Sequence, residues 1–117
     1  MILWLASYPK SGNTLLRSLL SSYFYTKDGI FNFELLKNIQ YFPSYTFYKN
    51  SSIDTKNDYE VIKNYTNVQK KFIENKKKIS FLKTHSSFFR ANKHDFTNLQ
   101  NSLGAIYVVR DPRKVVV

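Results

Sequence analysis

The sequence contains no cysteine, which excludes disulfides and thiolate metal sites. No apolar run approaches the length of a membrane span. A secretory signal is also missing: Met1 to Ala6 has no basic flank before it and runs straight into a turn at Lys10. Together these absences lead us to expect a cytoplasmic protein. No group of carboxylates or histidines has metal-ligand spacing, so no metal is expected. Acidic residues are scarce, 8 against 18 Lys and Arg. The formal charge of +10 favours anionic partners, among them a polyanionic nucleotide or a nucleic acid. Lysines outside the motifs described below read equally well as solvated surface.

What is present is a globular composition. The 117 residues suffice for one small domain, 43% are hydrophobic, and ten Phe and nine Tyr supply bulky core or pocket groups. Ile2 to Tyr8 is a short apolar run ended by Pro9, the pattern of a central strand. Thr14 to Tyr25 then places Leu15, Leu16, Leu19, Leu20 and Tyr23 at helical spacing. Asn32 is expected to cap a second helix over Phe33 to Gln40. Tyr41 to Ser52 reads as an aromatic, Pro-containing loop, whose Tyr41, Phe42, Tyr45, Phe47 and Tyr48 could line a pocket or cover the sheet edge. Asn57 or Asp58 is expected to cap a third helix reaching about Lys77, with Val61, Ile62, Tyr65, Val68, Phe72 and Ile73 on one stripe. Strands are expected at Ile79 to Thr84 and Ala105 to Val109, separated by a helix over Asp95 to Leu103 that ends at Gly104. Strands alternating with helices imply an α/β fold with a parallel central sheet.

Three segments carry chemistry. In Tyr8-Pro9-Lys10-Ser11-Gly12-Asn13-Thr14, a strand passes through a tight turn into a helix. Such a turn aims backbone N–H groups, a helix N-terminus and one lysine at a common point, which suits a phosphate or sulfate. The order differs from a Walker A loop, because Lys10 precedes the glycine of the turn. Gly12 allows close backbone approach, and the hydroxyls of Ser11 and Thr14 are available to anion oxygens. In Phe81-Leu82-Lys83-Thr84-His85, a histidine follows a strand end, where it can serve as a general base. Lys83 lies two residues before it, so in an extended chain both side chains point to the same side. In the third segment a strand runs into Arg110-Asp111-Pro112, and an arginine at a strand end can grip phosphate bidentately. His94, in a polar stretch, reads as solvated, and Arg90, after Phe88-Phe89, has no specific assignment.

These segments, in this order, resemble the sulfotransferase family that uses 3′-phosphoadenosine-5′-phosphosulfate (PAPS). Tyr8 to Thr14 looks like the family's 5′-phosphosulfate loop, Lys83-Thr84-His85 like its Lys-Thr-His segment, and Ala105 to Val117 like its 3′-phosphate motif. The resemblance implies a P-loop-like three-layer α/β/α domain, of which these residues would be the N-terminal portion. It implies that Lys10 contacts the donor's bridging oxygen while the amides of Ser11, Gly12, Asn13 and Thr14 hold the 5′-phosphate. Leu15 stands where the family usually has a tryptophan against adenine, and it lacks the aromatic stacking. His85 would take the acceptor's proton, Lys83 would stabilise charge on the transferring group, and Arg110 would bind the 3′-phosphate. The family motif continues to a serine eight positions after the arginine, one past Val117. The implied partners are the nucleotide donor and an unidentified acceptor hydroxyl or amine, with no specific nucleic acid. Two other functions fit parts of the sequence. One is a nucleotide kinase, for which Asp111 is the only acidic residue at a strand end available to hold magnesium. The other is a basic nucleic-acid-binding module built on Lys63 to Lys78.

Overall fold

In the computed structural model, which describes residues 1–74, 76–88, 90–91 and 93–115, the first apolar run forms β1 (Ile2–Ser7). The chain turns at Pro9 to Gly12 into α1 (Asn13–Tyr25). A 3-10 turn over Phe33–Asn38 leads into the short β2 (Gln40–Tyr41), and a second covers Tyr45–Phe47. Next come α2 (Asp58–Lys63), α3 (Tyr65–Ile73) and β3 (Ser80–Thr84). A small antiparallel ribbon of β4 (Arg90–Ala91) and β5 (His94–Asp95) precedes β6 (Ser102–Val108) and the one-turn α4 (Pro112–Val115). β2, β3, β1 and β6 form a four-stranded sheet in that order, every pair parallel. The fold is thus α/β with a parallel sheet and flanking helices, as the alternation of the sequence implied.

Alternation along β1 builds the two layers of the core. Ile2 and Trp4 face one side, where they pack with Phe42, Tyr48, Val68, Leu82 and Phe96, backed by Tyr65 and Phe72 of α3. Phe42 is fully buried and makes edge-on contacts with Trp4, Phe47, Tyr65 and Phe96. Leu5 faces the other side with Ile39 and Phe81, covered by Leu16 and Leu20 of α1. Thus Phe42, Phe47 and Tyr48 cover the sheet, which was one of the two roles open to them.

Several elements differ from the sequence reading, each for a local reason. The long third helix is broken at Asn64, whose side-chain amide donates to the Glu60 carbonyl at 2.8 Å. It ends by Ile73, so Lys76 to Lys78 lie outside it. Asn57 does cap α2, accepting from the Tyr59 amide at 3.1 Å. Asn32 makes no side-chain cap, and the expected second helix is the 3-10 turn. The helix expected over Asp95 to Leu103 does not form. There the polar side chains take bonds a helix would need: Asn98 Oδ1 accepts from the Asn101 amide at 2.9 Å, and Asn101 donates to the Thr66 carbonyl at 2.9 Å. Gln69, fully buried on α3, donates to the Phe96 carbonyl and accepts from Thr97, both at 2.7 Å. Leu103 and Gly104 therefore belong to β6 instead of a helix end.

Because Phe42 joins β2, α3 and the β1 face in one contact set, Phe42→Ala in the full-length protein should cost about 3–5 kcal/mol. Urea denaturation followed by tryptophan fluorescence measures this. A midpoint within error of wild type would show that this layer is not the core.

Candidate functional site

The register of β1 sets the site. Ala6 pairs with Thr84 of β3, and Ser7 pairs with Val108 of β6. The three strands therefore end side by side, and the segments after them, from Tyr8, His85 and Val109, leave from one edge of the sheet. Ligands of open α/β sheets bind at such carboxyl ends.

The turn after β1 has an unusual backbone. Lys10 has φ 64° and Gly12 φ 98°. The left-handed region is sparsely used by lysine, and such strain concentrates at functional sites. At Gly12 the need for glycine is conformational, since an added Cβ would meet only Val108 Cγ1 at 3.8 Å. Asn13, the first residue of α1, turns its side chain inward. Its amide donates to the Leu5 carbonyl and to Ser7 Oγ, both at 3.0 Å, tying the helix start to β1. Ser11 is buried, while Thr14 and Leu15 are exposed on the first turn of α1.

His85 is fixed by the same strand. Its Nδ1 lies 2.8 Å from the Ser7 carbonyl. A carbonyl only accepts, so Nδ1 carries the proton and, in the neutral ring, Nε2 keeps a free lone pair. Tyr41 stands beside His85 with ring centroids 5.9 Å apart, and Lys83 Nζ lies 5.9 Å from the Tyr41 ring centre. Burial pulls the Lys83 ammonium below its ordinary range, and the positive charges of Arg17 and Lys10 add to that effect. Lys10, Arg17 and Lys83 thus share one electrostatic neighbourhood. Arg110 closes the other side. Its Nη1 donates to the Lys10 carbonyl at 3.1 Å, joining the third segment to the first. A cavity of about 320 Å³ opens there, lined by Tyr8, Ser11, Tyr107, Val108, Val109 and Arg110 among others. Val116 and Val117, the end of that motif, lie outside the described residues.

Two side chains are engaged elsewhere. Asp111 binds Arg113 at 2.8 Å, and the side-chain and backbone hydrogen bonds from Arg113 hold its carboxyl below the usual range. It is therefore occupied where the kinase reading would need it. Arg90 pairs with Asp95 at 2.7 Å. His94 is partly buried beside the Tyr59 ring instead of solvated.

Arg17 was not singled out by its sequence context. Its Nη2 donates to the carbonyls of Leu36 at 3.0 Å and Ile39 at 2.6 Å, clamping α1 to the turn that delivers Tyr41. A signal did exist: Asn13, Arg17 and Ser21 recur every fourth residue, and Asn13 and Ser21 are buried. Leu15, Leu19 and Tyr23, expected inside, are exposed.

Comparison with known proteins agrees with this geometry. Residues 2–117 match the family model of the sulfotransferase domain. The chain belongs to the sulfotransferase domain family. No curated protein and no solved structure matches it.

The lowered Lys83 titration has a stability consequence. Between its folded value and the ordinary 10.5, the unfolded chain holds more protons, so stability rises with pH. Below that window the charged ammonium is a small net cost, since the residue is only partly buried. Lys83→Met in the full-length protein should therefore raise the melting temperature at pH 7 and flatten the rise toward pH 10. A lower melting temperature at pH 7 would contradict this placement of Lys83.

Proposed function

We propose that this chain is the N-terminal portion of a PAPS-dependent sulfotransferase domain, acting on an acceptor hydroxyl or amine. The observation that carries the reading is the convergence of Lys10, Lys83, His85 and Arg110 at adjoining strand ends. The donor would supply an activated sulfuryl group on a phosphate leaving group. The residues fit such a group: positive φ at Lys10 and Gly12 curves the turn, and the helix start and Arg110 add charge complementary to phosphate.

The amides of Ser11, Gly12, Asn13 and Thr14 would hold the 5′-phosphate. Arg110, which lines the cavity beside β6, would hold the 3′-phosphate, and Leu15 would offer an apolar side chain to the base. The acceptor enters from the side of Tyr41. His85 Nε2 takes its proton as the new bond to sulfur forms. Lys10 would offset the charge that develops on the donor's bridging oxygen as it keeps the electron pair of the breaking S–O bond, and Lys83 would offset charge on the sulfuryl oxygens.

The unfinished surface of the sheet supports the domain assignment. Parallel sheets are normally covered on both faces, yet Leu103, Ile106 and Tyr107 of β6 are exposed. So are Leu15 and Leu19 of α1. Residues 1–117 expressed alone should melt broadly and bind a hydrophobic dye. A sharp cooperative melt would contradict this.

His85→Ala in the full-length protein should lower turnover about 10²–10⁴-fold while leaving the affinity for adenosine 3′,5′-bisphosphate within twofold. Arg110→Ala should weaken that ligand roughly ten- to hundredfold, the worth of a charged hydrogen bond, without changing the affinity for adenosine 5′-monophosphate. Calorimetric titration of both ligands checks this. Equal losses for the two nucleotides would remove the 3′-phosphate role from Arg110, and undiminished turnover in His85→Ala would remove the base.

A further inference from the structure

At the opposite end of the sheet lies a groove of about 760 Å³, bounded by the end of α1, the start of β3 and the segment before it. Its floor is apolar: Leu3 and Phe81 come from the strands, and Phe24 packs on Phe81 with ring centroids 5.2 Å apart. Its rim is Lys76, Lys77 and Lys78, all exposed, and no carboxylate lines it among the described residues. Aromatic groups stand outward at the same pole. Tyr23 is 78% exposed, Phe24 54% and Tyr25 40%, and Ile79 beside the lysines is 51% exposed. None of these residues takes part in the site described above.

We propose that this pole is a docking surface for an anionic membrane. Two features combine in favour of a bilayer. Three adjacent lysines attract acidic headgroups; Lys76 Nζ stands 4.6 Å from the Phe72 ring centre, and the apolar stems of Lys77 and Lys78 can lie along the groove wall while their ammonium groups reach the headgroups. Exposed Tyr, Phe and Ile side chains at the same level match the headgroup–acyl boundary, where aromatic rings partition. A polynucleotide would satisfy the lysines, but it would leave the Leu3–Phe24–Phe81 floor unmatched. The orientation also serves the reading of the other pole. Six residues of β1 separate the two ends, about 20 Å of strand, so a docked protein keeps the Lys10 turn facing water.

The test is sedimentation of the full-length protein with phosphatidylcholine vesicles, with and without about a third phosphatidylserine. Binding is expected only to the anionic vesicles and should fall as salt rises. Replacing Lys76, Lys77 and Lys78 together by Gln should lower partitioning roughly hundredfold. Tyr23→Ser, a change at an exposed position that leaves the charge intact, should lower it severalfold. Circular dichroism melts confirm that both variants fold. Absence of binding to phosphatidylserine vesicles, or a triple variant that binds like wild type, would overturn the proposal. So would unchanged binding by Tyr23→Ser together with displacement by short RNA, which would mark a simple polyelectrolyte contact.

Discussion

Parallel pairing of β1 on both sides is the constraint on which the rest depends. Its hydrogen-bonded neighbours are β3 and β6, and the register matches their ends to within one residue. A slip of one residue would send Leu5 to the wrong layer and move His85 away from the turn after β1. Two bonds across the strand ends then finish the arrangement. Ser7 carbonyl receives the His85 Nδ1 proton, and Lys10 carbonyl receives the Arg110 guanidinium. Residues separated by 78 and 100 positions in the chain thereby share one small surface.

Packing is conceded to build that surface. The inward side of α1 carries Asn13, Arg17 and Ser21, while Leu15, Leu19 and Tyr23 point outward. Asn13 Oδ1, Arg17 Nε and Ser21 Oγ are buried with no hydrogen-bond partner among the described residues. Buried polar atoms without partners normally cost stability. Here the other atoms of Asn13 anchor the helix start to β1, and those of Arg17 clamp α1 to the Leu36–Ile39 turn. Local rules of burial give way where a site must be held.

The elements that position the site were legible because each couples a strong pattern to a sharp stop. The run to Ser7 ends at Pro9, and the strand at Ser80–Thr84 ends at His85. The inward face of α1 is masked in the sequence because its apolar residues form a band wider than one buried stripe, with the polar repeat Asn13, Arg17 and Ser21 set between them. The region 95–103 departs from its sequence pattern for a different reason. Its helical spacing is real, but Thr97, Asn98, Asn101 and Ser102 find better partners in Gln69, Thr66, one another and the indole of Trp4, which donates to Ser102 at 2.8 Å. Such partners come from distant parts of the chain and leave no local trace. The proximity of Arg17 to Lys83 and Lys10 was hidden likewise, because it arises only when α1 packs on the sheet.

The central claim is that the Lys10 turn and the Arg110 segment, distant in the chain, make one donor site. Backbone amide chemical shifts of the full-length protein, followed during titration with adenosine 3′,5′-bisphosphate, test it most directly. Saturable shifts confined to Lys10–Leu15 and the segment around Arg110, fitting one dissociation constant, are expected. Shifts in only one of these segments, or shifts centred on the Lys76–Lys78 pole, would contradict it.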